Sequence, residues 1–159
     1  PEAFKEQLVE ATNAYLAIKD ALVDSDLPST QKAATAFLEK SELIDMSLLS
    51  GEAHMHWMNL INSFDAHGKK IAEADDLKEQ RKQFEFLSNA LINSLQAFGI
   101  PSDQFYVQHC PMANNDKGAD WISNEHQILN PYFGDKMLKC GFVTDTISVS
   151  TTGSNNNSN

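Results

Sequence analysis

Two short segments of the sequence carry the side chains best suited to bind a soft metal ion. Residues 109–112 read HCPM, and residues 137–140 read MLKC. Thiolates and thioethers favour Cu(I) and related ions over Mg²⁺ or Ca²⁺. Side chains two apart share one side of an extended segment, and side chains three apart share one side of a helical turn. The spacing therefore predicts a site with up to four sulfur ligands, which are Cys110, Met112, Met137 and Cys140.

The same residues allow three other interpretations. A Cys110–Cys140 disulfide would close a long loop and stabilise the fold by about 3–4 kcal/mol in the chain-entropy model. Met112 and Met137 would then fill gaps in the packing. The two cysteines would alternatively be buried and inert. Residue chemistry alone leaves the metal site, the disulfide and inert packing open.

A second group of potential ligands lies at residues 54–58, which read HMHWM. His54 and His56 point to nearly opposite sides of a helix, so they do not readily share an ion. His54 precedes Trp57 by three residues, which predicts that it faces the interior. There it would either find a hydrogen-bond partner or reach the cysteines as a nitrogen ligand. A zinc site of Cys110, Cys140 and His54 is a further alternative.

The elements that must position these side chains begin with four helices over residues 1–99. Apolar residues recur at alternating three- and four-residue steps, which is typical of helices in a left-handed bundle. Pro28 after an acidic turn, Ser50-Gly51, Asp76 and Gly99 mark the helix boundaries. The second helix is expected to extend to Leu48. The prediction is an up-down-up-down four-helix bundle, in a mainly α fold.

Residues 100–149 are predicted to form a small α/β hairpin-like lobe packed on the bundle, within one domain overall. Residues 104–109 and 141–149 look extended and are expected to pair. The segment NPYFG at 130–134 is predicted to be a structural turn whose aromatic residues cover the lobe. Residues 150–159 are rich in Ser and Asn, which predicts a disordered tail.

Composition narrows the classes of function. The chain has 159 residues, is 42% hydrophobic and carries a net charge of −10. The negative charge disfavours nucleic acids and anionic membranes as partners. No apolar run is long enough for a transmembrane helix. Phosphate-binding loops, GxSxG and HExxH are not found, so the chain is predicted not to be an enzyme.

Several motifs resemble the DUF3347 family of bacterial cell-envelope domains. They are EAHM with Trp57, CPMA at 110–113, NPYFG at 130–134, and Met137-Leu138 with Cys140-Gly141. The resemblance extends from Tyr15 to about Ile147. Members occur as exported or lipid-anchored proteins, or are appended to periplasmic adaptor subunits of CusB-type heavy-metal efflux systems. His109 departs from the family, which often has an aromatic residue there, so no ligand role is carried onto it.

The resemblance implies a periplasmic or cell-envelope protein with an efflux adaptor or another envelope protein as partner. Together with the sulfur ligands, it favours a non-catalytic accessory domain that binds copper as Cu(I). Its ligands would be Cys110, Met112, Met137 and Cys140, with His54 as a fifth contributor. The alternatives are a protein-interaction module stabilised by a Cys110–Cys140 disulfide, and a zinc-binding protein.

Overall fold

A computed structural model describes residues 1–102 and 104–149. Four main helices come first, namely α1 (Glu2–Val23), α2 (Leu27–Glu42), α3 (Gly51–Glu73) and α4 (Leu77–Phe98). The C-terminal part holds β1 (Gln104–Cys110), α5 (Ala113–Asp116), β2 (Ala119–Ser123) and β3 (Phe142–Ser148). Consecutive long helices pack on one another. The predicted mainly helical fold is confirmed.

Side chains outside the helices begin two of them as predicted. The Asp26 carboxylate accepts a hydrogen bond from the Ser29 N–H at 3.1 Å, and Pro28 lies in the first turn of α2. The Asp76 carboxylate accepts from the Glu79 N–H at 2.7 Å. These caps satisfy amide donors that have no partner within the helix, which is why the chain turns into a helix at these positions.

The prediction that the second helix extends to Leu48 is wrong, because α2 ends at Glu42. The Asp45 carboxylate accepts hydrogen bonds from both the backbone N–H and the hydroxyl of Ser47. This local turn competes with the helix and begins a single 3-10 turn at Met46–Leu48. Ile44 is buried as expected, but it lies in the connection between α2 and α3 and not in a helix. Leu48 is partly exposed.

A cluster of aromatic rings fills the core between the helices at one end of the bundle. The Phe4 and Trp57 rings meet edge to face with centroids 5.0 Å apart, and Trp57 meets Phe64 in the same way at 5.4 Å. Phe37 of α2 packs on Phe64 at 5.6 Å. Because edge-to-face pairs add to the energy of burial, this cluster joins three helices firmly.

The three strands form an antiparallel sheet in the order β2-β1-β3. The predicted pairing of 104–109 with the last strand is confirmed, with Phe105 opposite Ile147. The strand β2 was not predicted. This strand is short, and two consecutive residues within it, Trp121 and Ile122, are both buried. It therefore lacks the alternation of buried and exposed residues that identifies a strand.

Tyr15 of α1 connects the sheet to the bundle. Its buried hydroxyl accepts a hydrogen bond from the Ile122 N–H at 3.1 Å and lies 2.6 Å from the Ser88 hydroxyl of α4. Burial raises the pKa of Tyr15 far above its ordinary value. The hydroxyl is therefore a permanent polar link between α1, α4 and the edge strand β2.

We expect Tyr15→Phe to lower the free energy of unfolding by about 1–3 kcal/mol, because the buried Ile122 N–H loses its acceptor. Urea denaturation measures the change. Tyr106→Phe is the matched control, since Tyr106 is only half-buried, and about 0.5 kcal/mol or less is expected there. Equal losses in the two variants would contradict a specific role for the Tyr15 hydroxyl.

Among the described residues, no helix is both long and apolar enough to cross a membrane. The segment 150–159, predicted to be a disordered tail, lies outside the described residues.

Candidate functional site

The structure brings Cys110 and Cys140 together. Cys110 is the last residue of β1 and is fully buried, while Cys140 lies half-buried in the loop before β3. Both are free thiols, and their Sγ atoms are 3.4 Å apart. The contact with Cys110 and, to a lesser degree, burial raise the pKa of the Cys140 thiol. This pair is the part of the predicted ligand set that the fold assembles.

Asn130 holds the loop that carries Cys140. The Asn130 side chain is buried, and its amide nitrogen donates a hydrogen bond to the Cys140 carbonyl at 2.8 Å. Its side-chain oxygen Oδ1 accepts a hydrogen bond from the Tyr132 N–H at 2.9 Å. The Asn130 N–H donates to the Leu138 carbonyl at 2.7 Å. One asparagine therefore closes residues 130–140 into a defined loop, a role that the turn predicted at 130–134 only partly anticipated.

Gly141 lets this loop lie directly on the sheet. Its φ of +136° is one that other residues rarely adopt, and a Cβ there would lie 2.6 Å from the His109 carbonyl oxygen. The same Cβ would meet the Trp121 ring at 3.2 Å. The absence of a side chain at residue 141 thus allows Cys140 to approach the end of β1.

Arg81 of α4 fastens the other side of the loop to the bundle. Its guanidinium donates to the Pro131 carbonyl at 2.8 Å, to the Leu22 carbonyl at 2.9 Å and to the Ser25 hydroxyl at 3.0 Å. Gly134 passes so close that a Cβ would lie 3.1 Å from this guanidinium. Arg81 therefore holds the segment 131–134 through the Pro131 carbonyl, and no role was predicted for this residue from the sequence.

Met112 does not continue the extended segment that ends at Cys110, so the backbone geometry assumed in this part of the spacing prediction is wrong. β1 ends at Cys110, and Met112 has helical backbone angles (φ −90°, ψ −10°) in the turn that follows. Met112 is 47% exposed and lines a groove of about 920 Å³ with Phe86 and Phe133. The alternative in which Met112 fills a packing gap is excluded by the same exposure.

Met137 is close to Cys140 in the sequence, but the prediction that the two residues share one helical turn is wrong. The 3-10 turn covers Gly134–Lys136, and Met137 has φ −150° and ψ 54°. The Cys140 N–H donates to the Met137 carbonyl at 3.1 Å, which closes a tight turn. Met137 is half-buried at the start of this turn.

His54 lies about 20 Å along the bundle from the part of the chain that carries the cysteines. Its neighbour His56 packs on Phe98 at the end of α4, whereas Asn114, just beyond Met112, lies 3.2 Å from the Glu85 carboxylate. The helix between Glu85 and Phe98 is about 20 Å long at 1.5 Å per residue. The fold therefore does not assemble His54 with Cys110 and Cys140, either as a fifth copper ligand or as a zinc ligand. His54 is also half-buried and not in the interior as predicted.

His109 pairs with Asp120 across the sheet and not with Cys110. Its Nδ1 lies 2.6 Å from the Asp120 carboxylate, and its ring packs on Phe142. Neighbours on a strand point to opposite faces, so His109 is directed away from the Cys110 thiol, as the sequence predicted. A cysteine–histidine nucleophile is not formed by these two residues.

The sulfur separation allows either of two uses of the pair. Within residues 1–102 and 104–149, no three His, Cys, Asp or Glu side chains are arranged to hold an ion. Among these four residue types, the candidate ligands here are therefore the two cysteines alone. Two thiolates on one tetrahedral zinc ion, with Zn–S distances of about 2.3 Å, would lie about 3.8 Å apart. A disulfide requires about 2.05 Å. The two Sγ atoms are 3.4 Å apart, so binding such an ion requires a smaller movement of the sulfurs than forming a disulfide does.

Comparison with protein families identifies the chain. Residues 11–103 match DUF3347, which is described as a protein of unknown function. The match spans more than half of the 159 residues, and the chain belongs to this family. It covers the helical bundle except for the first part of α1 and ends before β1, so both cysteines lie beyond it. Searches of curated proteins and of solved structures returned no match.

Proposed function

We propose that this DUF3347 domain binds Cu(I) at the Cys110–Cys140 pair and passes the ion to a partner without catalysing a reaction. The observation that carries the proposal is the 3.4 Å separation of two free thiols held by different elements. Cys110 is held at the end of the central strand, and Cys140 on a loop closed by Asn130. Two sulfurs are thus preorganised for one soft ion.

Copper is favoured over zinc by the number and type of donors. Structural zinc sites use four ligands, usually Cys and His, and the described residues bring only two such side chains together here. Thiolate and thioether ligands select Cu(I). Met137 can supply a third sulfur, because the turn from Met137 to Cys140 keeps it near the pair.

The unequal burial of the two cysteines suits transfer of the ion. Cys110 is inaccessible, whereas Cys140 is half-exposed at the surface. An incoming sulfur ligand of another protein can therefore approach the ion from the Cys140 side. The resemblance to domains appended to CusB-type adaptors supports a location in the periplasm or cell envelope and an efflux adaptor as the partner.

Titration with Cu(I) against a chromophoric chelator, under reducing and anaerobic conditions, tests the proposal. We expect one equivalent bound with a dissociation constant below about 1 μM. Cys110→Ser and Cys140→Ser are each expected to weaken that equivalent by at least about 100-fold, since loss of a direct ligand exceeds the 10–100-fold effect of an outer-shell partner.

Met112→Leu is the matched control, because Met112 lies in the same segment but faces the neighbouring groove. Its affinity for the tightest equivalent should equal that of the unaltered protein. An unchanged affinity in both serine variants would reject the pair as the copper site. A Met137→Leu variant that loses Cu(I) affinity but keeps any Zn²⁺ affinity would support the thioether as third ligand.

A further inference from the structure

The methionines of this protein lie at its surface. Met55 is 69% exposed, Met58 43%, Met46 41% and Met112 47%, while Met137 is half-buried. Methionine is normally among the most buried residue types, so a chain in which none of five methionines enters the core is unusual. Packing therefore does not explain the methionines of α3, and a role as exposed thioethers has to be considered.

The backbone of α3 places two of these thioethers beside an imidazole. Met58 is three residues after Met55 and four after His54, all within the regular helix. Side chains at these spacings are neighbours with Cβ atoms about 5–6 Å apart. Around the helix axis, Met58 thus lies between His54 and Met55, and its side chain can reach both.

All three side chains lie outside the buried face of α3. That face is formed by Trp57, Leu60, Phe64, Gly68 and Ile71. At 100° per residue, His54 is about 80° from its centre, Met58 about 120° and Met55 about 180°. The exposures agree with these angles, from the half-buried His54 to the fully outward Met55.

The group lies on the flank of α3 that faces α2. Gly68, on this flank, packs against Leu38 of α2, whereas His67, on the other flank, contacts Gln83 of α4. His56 also lies on the α4 flank, where its ring packs on Phe98. The helix itself therefore separates His54 and Met58 from His56, and about 20 Å of the bundle separates them from the cysteine pair.

We propose that His54, Met55 and Met58 form a second, exposed binding site for a soft monovalent ion, Cu(I) or Ag(I). Two thioethers and one imidazole nitrogen are a donor set suited to such ions and not to Ca²⁺ or Mg²⁺. The net charge of −10 attracts cations to the surface. The site uses no cysteine, so it does not depend on the function proposed for the Cys110–Cys140 pair.

Cu(I) titration of the Cys110→Ser/Cys140→Ser protein isolates this site. One equivalent is expected to bind, and adding Met55→Leu and Met58→Leu should weaken it by at least about tenfold. His54→Gln should weaken it as well. His56→Gln is the matched control, because it removes an imidazole two residues away from the other flank, and its affinity should not change.

A second measurement uses the unaltered protein and does not require the serine variants to fold. Ag(I) is added while the NMR signals of the methionine ε-methyl groups are followed. The Met55 and Met58 methyl signals should shift, whereas that of Met112 should not. Unshifted Met55 and Met58 signals would overturn the proposal, as would equal Cu(I) affinities with and without the two leucine substitutions. Neither result would alter the effect of the cysteine variants, so the two proposals fail separately.

Discussion

Oxidation of Cys110 and Cys140 to a disulfide is expected to raise the free energy of unfolding by about 3–4 kcal/mol, because the bond closes a loop of about 30 residues in the unfolded chain. The sulfurs start 3.4 Å apart, so only a small movement of the Cys140 loop is needed. Urea denaturation of the oxidised and the reduced protein measures the difference, and a thiol count verifies the redox state.

The same oxidation should abolish tight Cu(I) binding at the pair, since a disulfide offers no thiolate to the ion. Reduction should restore it. The Cys110→Ser/Cys140→Ser protein is the control, and its stability should not respond to oxidant or reductant. Full Cu(I) affinity in the oxidised protein would show that the pair is not the copper site.

This experiment also separates the two principal functions. A pair that is found oxidised in the cell envelope and that raises stability, with no Cu(I) bound at the two cysteines after mild reduction, would identify a disulfide-stabilised interaction module. A pair that is found reduced, or that is protected from oxidation by Cu(I), would support the copper function. The half-exposed Cys140 sulfur is the atom that both an oxidant and an incoming ligand would reach first.

Replacement of Arg81 by methionine is expected to lower the free energy of unfolding by about 2–4 kcal/mol, because hydrogen bonds from a charged donor contribute more than neutral ones. The substitution leaves the carbonyls of Leu22 and Pro131 without this donor. Methionine keeps much of the apolar length of the side chain, so the loss reports the guanidinium. Urea denaturation measures it.

Arg81→Met should also weaken Cu(I) binding at the pair, although Arg81 touches neither sulfur. Pro131 is held by Arg81, and its neighbour Asn130 holds the Cys140 carbonyl. Lys82→Met is the matched control, since Lys82 is exposed on the same turn of α4, and its effect should stay within about 0.5 kcal/mol. A destabilised Arg81→Met protein with unchanged Cu(I) affinity would show that Cys140 is positioned without Arg81.

The helical part of this protein follows from local features of the sequence. The spacing of apolar residues predicted four helices, and Pro28, Asp76 and Gly99 marked boundaries that the structure confirms. These signals act within one or two turns, so they can be recognised without knowledge of the fold. The second helix was predicted too long, because the hydrogen bonds of the Asp45 side chain outweigh a continuing apolar period.

The candidate site depends on contacts between residues that are distant in the sequence. The sequence indicated which side chains suit a soft ion, and the pairing of β1 with β3 together with the approach at Gly141 brought two of them, Cys110 and Cys140, together. Met112 is exposed in a turn and does not continue the strand, because β1 ends at Cys110.

His54 shows the same division between local pattern and tertiary structure. Its place on α3 followed from helical periodicity, and the predicted up-down-up-down bundle already implied that α3 and α4 are antiparallel. Its distance from the cysteines depends on where the C-terminal lobe packs along α4, near Glu85 and not near Phe98, which no local pattern specifies. Spacing in the chain therefore identified the chemistry of the Cys/Met-rich segments. Which of those side chains can act on one ion was decided by strand register and helix packing, because both depend on long-range contacts.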